Sequence, residues 1–102
     1  MKPTVKDIRV AGRHRLAVAY EDGLAATLDF SEYLTLHVGP IIEPLRDQEI
    51  FATVQLDHGA VTWSTGFDIC PDVLRFWCEQ GRVCADQETD AYFESQRLLS
   101  TQ

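Results

Sequence analysis

The spacing of apolar residues on either side of one short turn constrains the fold of this 102-residue chain most strongly. In residues 16–20 and 24–30 the larger apolar side chains recur at every second position, which predicts two strands with one buried face each. A two-residue loop between them would put the two apolar faces on opposite sides of the hairpin. A three-residue loop pairs Tyr20 with Leu24 and puts both faces on the same side. We therefore predict a three-residue turn closed by Gly23 in the left-handed conformation.

Two further segments complete the predicted set of strands. The pattern of residues 5–10 predicts a strand. A polar loop over 11–15 connects this strand to the first hairpin, which gives a three-strand antiparallel meander. A second hairpin turns at His58-Gly59, because a two-residue loop there pairs Leu56 with Val61 on one apolar face. Gly59 supplies the positive φ that this turn needs, which a histidine tolerates less easily.

Helical elements are expected between the hairpins and after them. Prolines and a Gly-Pro pair interrupt residues 31–52, so only short helical turns fit there, one capped by Ser31 and one by Asp47. A helix is predicted over 71–80, between an opening proline and a terminating glycine, and a last helix over 86–99. The fold class is therefore α+β: a three-strand antiparallel meander, short helical turns, a second β-hairpin and one or two C-terminal helices.

The chain length allows one domain with a single core. We expect a small α+β domain over residues 1–80 and a C-terminal helical extension over 81–102, packed on the domain or on a dimer partner. No run of about 18 apolar residues occurs, and no apolar run follows the two lysines near the N-terminus. We therefore predict neither a membrane span nor a signal peptide, and a cytoplasmic location.

Charge is distributed unevenly along the chain. Residues 1–20 carry a net +4, from five basic residues and one acidic residue. Residues 21–102 carry a net −11, from four basic and fifteen acidic residues, and the two parts sum to the formal −7. Nucleic-acid binding is therefore not expected, because the chain as a whole repels phosphates. The basic strip of Arg9, Arg13 and Arg15 is interpreted as a solvated hairpin, with contact to nucleic acid as the weaker alternative.

The cysteines do not indicate a metal site. Cys70, Cys78 and Cys84 have the spacings C-x7-C and C-x5-C, which match neither a zinc knuckle nor a redox pair. Their odd number argues against a disulfide framework. We predict three buried free thiols, no metal and no cofactor.

The side chains that suggest catalysis lie around the second hairpin. Asp57 and His58 are of types that act together as orienting group and base, and Asp57 with Asp68 is a possible carboxylate pair. Neighbours on a strand point to opposite faces, so Asp57 and His58 meet only if the turn redirects them. We favour a turn role and assign no catalytic residue. The candidates for a ligand site are Asp57, His58, Trp63 and Asp68.

Aromatic residues concentrate between residues 63 and 77 and in the last helix. Core packing accounts for most of them, because Trp63 and Trp77 fit apolar faces. Phe67, in a predicted loop, and Phe76, outside the apolar stripe of its helix, have no assigned inward role and suggest a protein interface. The candidate interface residues are Phe67, Phe76, Trp77, Tyr92 and Phe93.

Several motifs occur in an order typical of one bacterial family. They are the turn Glu21-Asp22-Gly23, the segment Pro44-Leu45-Arg46-Asp47 with Phe51, and the hairpin Asp57-His58-Gly59-Ala60-Val61-Thr62-Trp63 followed by Gly66 and Asp68. From Val5 to Trp77 the chain resembles domain-of-unknown-function family 2442. The resemblance implies a compact α+β domain without an established activity. It also implies a setting, since some members are fused to a helix-turn-helix domain and many genes lie beside small toxin–antitoxin-like partners.

Together these features favour binding over chemistry. We expect a non-catalytic protein-interaction or regulatory module that forms a homodimer or binds a small protein partner in a toxin–antitoxin-like pair. The alternative is a small-molecule-binding protein or enzyme centred on Asp57, His58 and Asp68.

Overall fold

The strands and helices of the computed structural model follow the predicted order along residues 4–100, the part of the chain that the structure describes, with side chains described for residues 4–95. The strands are β1 (Val5–Gly12), β2 (Arg15–Tyr20), β3 (Ala25–Asp29), β4 (Gln55–Asp57), β5 (Ala60–Thr62) and β6 (Asp68–Ile69). The helices are α1 (Ser31–Leu36), α2 (Gln48–Phe51), α3 (Pro71–Gln80) and α4 (Asp86–Ser100), with a 3₁₀ helix at Glu43–Arg46. Strands β1–β3 form one antiparallel sheet, sheet A, and β4–β6 form a second, sheet B. The fold is α+β, as predicted.

The register of the first hairpin is the predicted one. Leu16 pairs with Leu28 and Val18 with Ala26, so the larger apolar side chains of β2 and β3 share one face. The backbone N–H of Tyr20 donates to the carbonyl of Leu24 at 2.8 Å. The turn is closed by a glycine with φ +98°, in the positive-φ region that this three-residue loop requires.

The connection between β1 and β2 is shorter than predicted. Instead of a polar loop over 11–15, β1 continues to Gly12 and the chain reverses at Arg13-His14. His14 has φ +55° and is only 8% exposed. Its backbone N–H donates to the Gln48 side chain at 3.0 Å, and its ring Nε2 lies 2.8 Å from the Arg46 carbonyl oxygen. His14 therefore joins the β1–β2 turn to the end of the 3₁₀ helix and to the first residue of α2.

The second hairpin also has the predicted register, with Leu56 opposite Val61. Both residues of its turn have positive φ, +50° at His58 and +85° at Gly59, as in a type I′ turn. Sequence analysis assigned that conformation to the glycine alone. A third strand, β6, which sequence analysis did not predict, pairs with β5 through Val61 and Ile69.

One aromatic core joins the two sheets. Phe30, directly after β3, is 1% exposed, and its ring centroid lies 5.7 Å from that of Phe51, 5.8 Å from Trp63 and 6.1 Å from Trp77. These partners belong to α2, to the residue directly after β5 and to α3. Aromatic pairs at such distances contribute about 0.5–1.5 kcal/mol beyond the burial of their area. Sheets A and B are therefore parts of one packed unit.

The helix ends follow the predicted signals with one exception. Asp47 caps α2, since its carboxylate accepts from the backbone N–H of Glu49 at 2.9 Å. Helix α3 begins at a proline and ends at Gly81, which has φ +75°. Ser31 does not cap α1 as predicted; Asp29 instead accepts from the Ser31 N–H at 2.9 Å. No helix within residues 4–100 has the length and apolarity needed to cross a membrane.

Helix α4 packs its aromatic side chains on α3. Tyr92 stacks on Phe76 with ring centroids 4.1 Å apart, and the indole N–H of Trp77 donates to the Thr89 hydroxyl at 3.1 Å. Sequence analysis also places Leu98 and Leu99 on the apolar stripe of the last helix, but their side chains lie outside the described part. The division at residue 80 into a domain and an extension stays a prediction.

Candidate functional site

The turn of the second hairpin brings Asp57 and His58 into contact. The positive φ of His58 redirects its side chain, so that Nδ1 lies 2.7 Å from the Asp57 carboxylate. The two side chains are 97% and 65% exposed. Solvent around the pair screens the attraction between the two side chains, so the contact contributes little to stability.

The third candidate of this group, Asp68, lies elsewhere on sheet B. It pairs with Thr62 in β6, two strands away from β4, which carries Asp57. With standard strand spacing, the Cα atoms of Asp57 and Asp68 are about 12 Å apart. Asp68 lines a different, shallow cavity of about 210 Å³ together with Tyr33 and Trp77. The structure thus joins two of the three candidates and places the third beside other residues.

Trp63 has a structural environment. It is 5% exposed, and its indole N–H donates to the backbone carbonyl of Phe51 at 2.8 Å. Because a buried indole N–H needs an acceptor, this bond fixes the end of β5 against α2. The ligand role considered for Trp63 stays a prediction.

The candidate interface residues differ in exposure. Phe67, Phe76 and Trp77 are 8%, 7% and 3% exposed, because the core and α4 cover them. Tyr92 and Phe93 are partly buried, packed against Phe76. Contacts within the chain thus account for the aromatics that had no assigned inward role. Their assignment to an interface stays a prediction.

The three arginines of the basic strip are exposed on or beside sheet A. Arg9 lies opposite Ala17, and Arg15 forms an ion pair with Asp29 at 3.6 Å. Arg13 lies in the turn between β1 and β2.

The cysteines are free, and their exposure is not uniform. Cys78 and Cys84 are buried as predicted, whereas Cys70 is exposed at the N-terminal boundary of α3. Burial raises the pKa of the Cys78 thiol to about 11. Among the described residues, no group of three or more His, Cys, Asp or Glu side chains has the arrangement of a metal site.

A cluster of contacts around Arg75, which sequence analysis did not identify, joins α3 to the first hairpin. The guanidinium of Arg75 bonds both carboxylate oxygens of Asp22, at 3.1 and 2.8 Å, and the Glu79 carboxylate at 2.9 Å. It also lies 4.7 Å above the ring of Tyr20. Hydrogen bonds from Arg75 hold the pKa of Asp22 below its usual value. The i,i+4 spacing of Arg75 and Glu79 was readable from the sequence, but the approach of Asp22 was not.

His37 forms a second contact that sequence analysis did not identify. Its Nδ1 lies 2.8 Å from the Tyr33 carbonyl oxygen and its Nε2 lies 2.9 Å from the Asp86 carboxylate. Both partners only accept, so both bonds are made when both ring nitrogens carry protons. Burial lowers the pKa of His37, but the bonds to Asp86 and Tyr33 outweigh it and the pKa is raised. His37 therefore links the end of α1 to the start of α4.

A groove of about 530 Å³ lies beside β3, and we name it the β3 groove. One wall is formed by β3 itself, another by α1, and the third by residues 81–85 and the first turn of α4. Its charged lining consists of Asp29, Glu32 and Glu88 against Arg82, with His37 also present. Leu36 adds an apolar side chain that is 69% exposed.

The order of elements, the acidic-Gly turn and the exposed Asp-His-Gly hairpin define a small α+β domain with a free sheet edge beside a groove. The chain belongs to the family described as "Protein of unknown function (DUF2442)", whose sequence profile matches residues 5–80. The predicted resemblance is thereby confirmed. No curated protein and no solved structure matches the chain.

Proposed function

We propose that this chain is a non-catalytic protein-interaction or regulatory module of the cytoplasm. It acts as a homodimer or with a small protein partner, in a pair of the toxin–antitoxin type. The observation that carries the proposal is the open edge of β3, which has no strand paired to it among the described residues and adjoins the β3 groove. Unpaired strand edges bind other chains through their backbone groups.

Exposed apolar side chains at the end of α1 and directly after it support the same function. Leu36 and Val38 are 69% and 75% exposed, and Ile41 is 43% exposed. Apolar residues that follow one another on a surface are typical of an interaction site.

The test is recovery of the tagged protein from its own host under gentle conditions, with light scattering on the purified product. We expect either a dimer mass or one small protein recovered in equal amount. A chain that stays monomeric and brings no protein in stoichiometric amount would contradict the module. Identification of the gene beside it then distinguishes a toxin–antitoxin-like pair from other partners.

The second candidate function is a small-molecule-binding protein or enzyme centred on Asp57, His58 and Asp68. It is favoured by the 2.7 Å contact between His58 and Asp57. A metabolite screen followed by NMR checks it. A ligand that shifts the His58 and Asp68 signals together, and that His58→Ala no longer binds, supports this function. A ligand that binds without shifting either signal excludes a binding site at these residues.

A further inference from the structure

We propose that β3 accepts a basic, extended segment of a partner protein as an additional strand of sheet A, with its side chains over the β3 groove. This inference rests on the proposed interaction function and names the surface and the chemistry of the partner.

The backbone of β3 offers unused hydrogen-bonding groups. Tyr20 bonds Leu24 at one end of the β2–β3 pairing and the Phe30 N–H bonds the His14 carbonyl at 2.8 Å at the other, so even-numbered residues of β3 bond to β2. In an antiparallel pair the bonded residues alternate. The N–H and C=O groups of Ala25, Thr27 and Asp29 therefore point away from β2, toward the open edge.

The edge of β3 lacks the features that usually block strand addition. Protected edges carry charged side chains, above all lysine, or proline or a bulge. The sequence of β3, AATLD, has no lysine or proline, its pairing to β2 is regular, and its one charged residue, Asp29, is the last of the strand and pairs with Arg15. Ala25 and Thr27 are exposed and small, so they leave the approach to the backbone open.

The charge of the groove selects the partner. Its lining has three carboxylates, on Asp29, Glu32 and Glu88, and one guanidinium, on Arg82. Arg82 pairs with Glu88, and Arg15, outside the lining, pairs with Asp29, so a formal charge of −1 remains on Glu32. A basic segment is attracted to this surface, while a second copy of a chain with net charge −7 would bring further negative charge to it.

The test uses the full chain and a synthetic peptide of about ten alternating lysine and valine residues, with a glutamate–valine peptide of equal length as control. Affinity is measured by fluorescence anisotropy and the site by amide hydrogen exchange. The Thr27→Pro variant removes one outward N–H and no bond to β2. Thr27→Val is the matched control that keeps this N–H.

We expect the lysine–valine peptide to slow exchange at Ala25, Thr27 and Asp29. Thr27→Pro should weaken binding by about tenfold or more and Thr27→Val by less than about twofold. Glu32→Lys should weaken it by several-fold without touching the backbone, which keeps the test valid if the proline variant unfolds. The glutamate–valine peptide should not bind.

Four results would overturn the inference: no binding, binding without slower exchange at β3, equal affinity for both peptides, or equal affinity of the two Thr27 variants. Slow exchange at β3 in the concentrated protein alone would assign the edge to a second copy instead. If the Thr27→Pro variant recovers the natural partner as well as the unaltered chain does, the proposed interaction function is retained and the β3 edge is excluded as its site.

Discussion

The two edges of sheet A differ in how they meet solvent. The β1 edge is interrupted by register shifts near both ends and carries Lys6 and Arg9. The β3 edge is regular, carries no basic residue and faces the β3 groove. Bulges twist an edge away from an incoming strand and lysines on an edge discourage pairing, so the β1 edge is the less favourable of the two for strand addition. The comparison teaches that, of the two edges of this sheet, β3 is the one suited to the strand addition proposed above.

The largest effect on this comparison is expected from removing a core side chain that lies directly after β3. Phe30→Ala deletes a fully buried ring that contacts α2, the end of β5 and α3. We expect a loss of about 3–5 kcal/mol in the free energy of unfolding, measured with urea. Leu36→Ala, at a 69% exposed position, is the control and should stay within about 0.5 kcal/mol. A small loss for Phe30→Ala would mean that the two sheets do not share one core.

A smaller effect is expected at the turn that leads into β3. Arg75→Ala removes the guanidinium that bonds Asp22 and Glu79 and covers the Tyr20 ring. A cation–π contact and exposed ion pairs contribute modestly, so we expect a loss of about 1 kcal/mol in thermal or urea unfolding. Arg75→Lys should recover part of it through the charge alone. A variant as stable as the unaltered chain would show that the cluster does not hold the turn.

The smallest effect is expected at His37, which lines the β3 groove, and it depends on pH. His37 meets the Asp86 carboxylate from α4 and the Tyr33 ring and carbonyl from α1, and its own carbonyl accepts from Arg46 at 3.0 Å. Its pKa is raised in the folded chain above the ordinary 6.5. The stabilisation is therefore fully present below pH 6.5 and is lost as the pH rises through the folded value.

The measurement is urea unfolding from about pH 5.5 to pH 8 for the unaltered chain and for His37→Gln. We expect the difference in the free energy of unfolding between the two to shrink as the pH rises. An NMR titration of His37 checks the direction of the pKa shift independently. A difference that grows with pH would contradict the bonding of both ring nitrogens to acceptors.

Local patterns predicted much of the fold. The register through Tyr20 and Leu24 followed from the requirement that two apolar faces coincide, and the cap at Asp47 and the helix end at Gly81 followed from residue type. Each of these signals lies within a few residues of what it determines. Strand β6 escaped prediction because two residues are too few for an alternating pattern.

The contacts of the candidate site were less accessible to sequence analysis. His14 bonds residues 32 and 34 positions away, and His37 bonds Asp86 across 49 positions. No local pattern encodes such distances, so sequence analysis assigned neither histidine a partner. Phe76 was considered for an interface because the sequence did not show that the last helix, α4, packs on α3 and covers it.

The most direct measurement compares amide exchange at the two edges of sheet A in the full chain, with and without the lysine–valine peptide. On β1 the amides that point outward are those of Ile8 and Val10, by the same alternation that exposes Ala25, Thr27 and Asp29 on β3. The account predicts slower exchange at the three β3 positions and no change at the two β1 positions. Slowing at β1, or at neither edge, would contradict it.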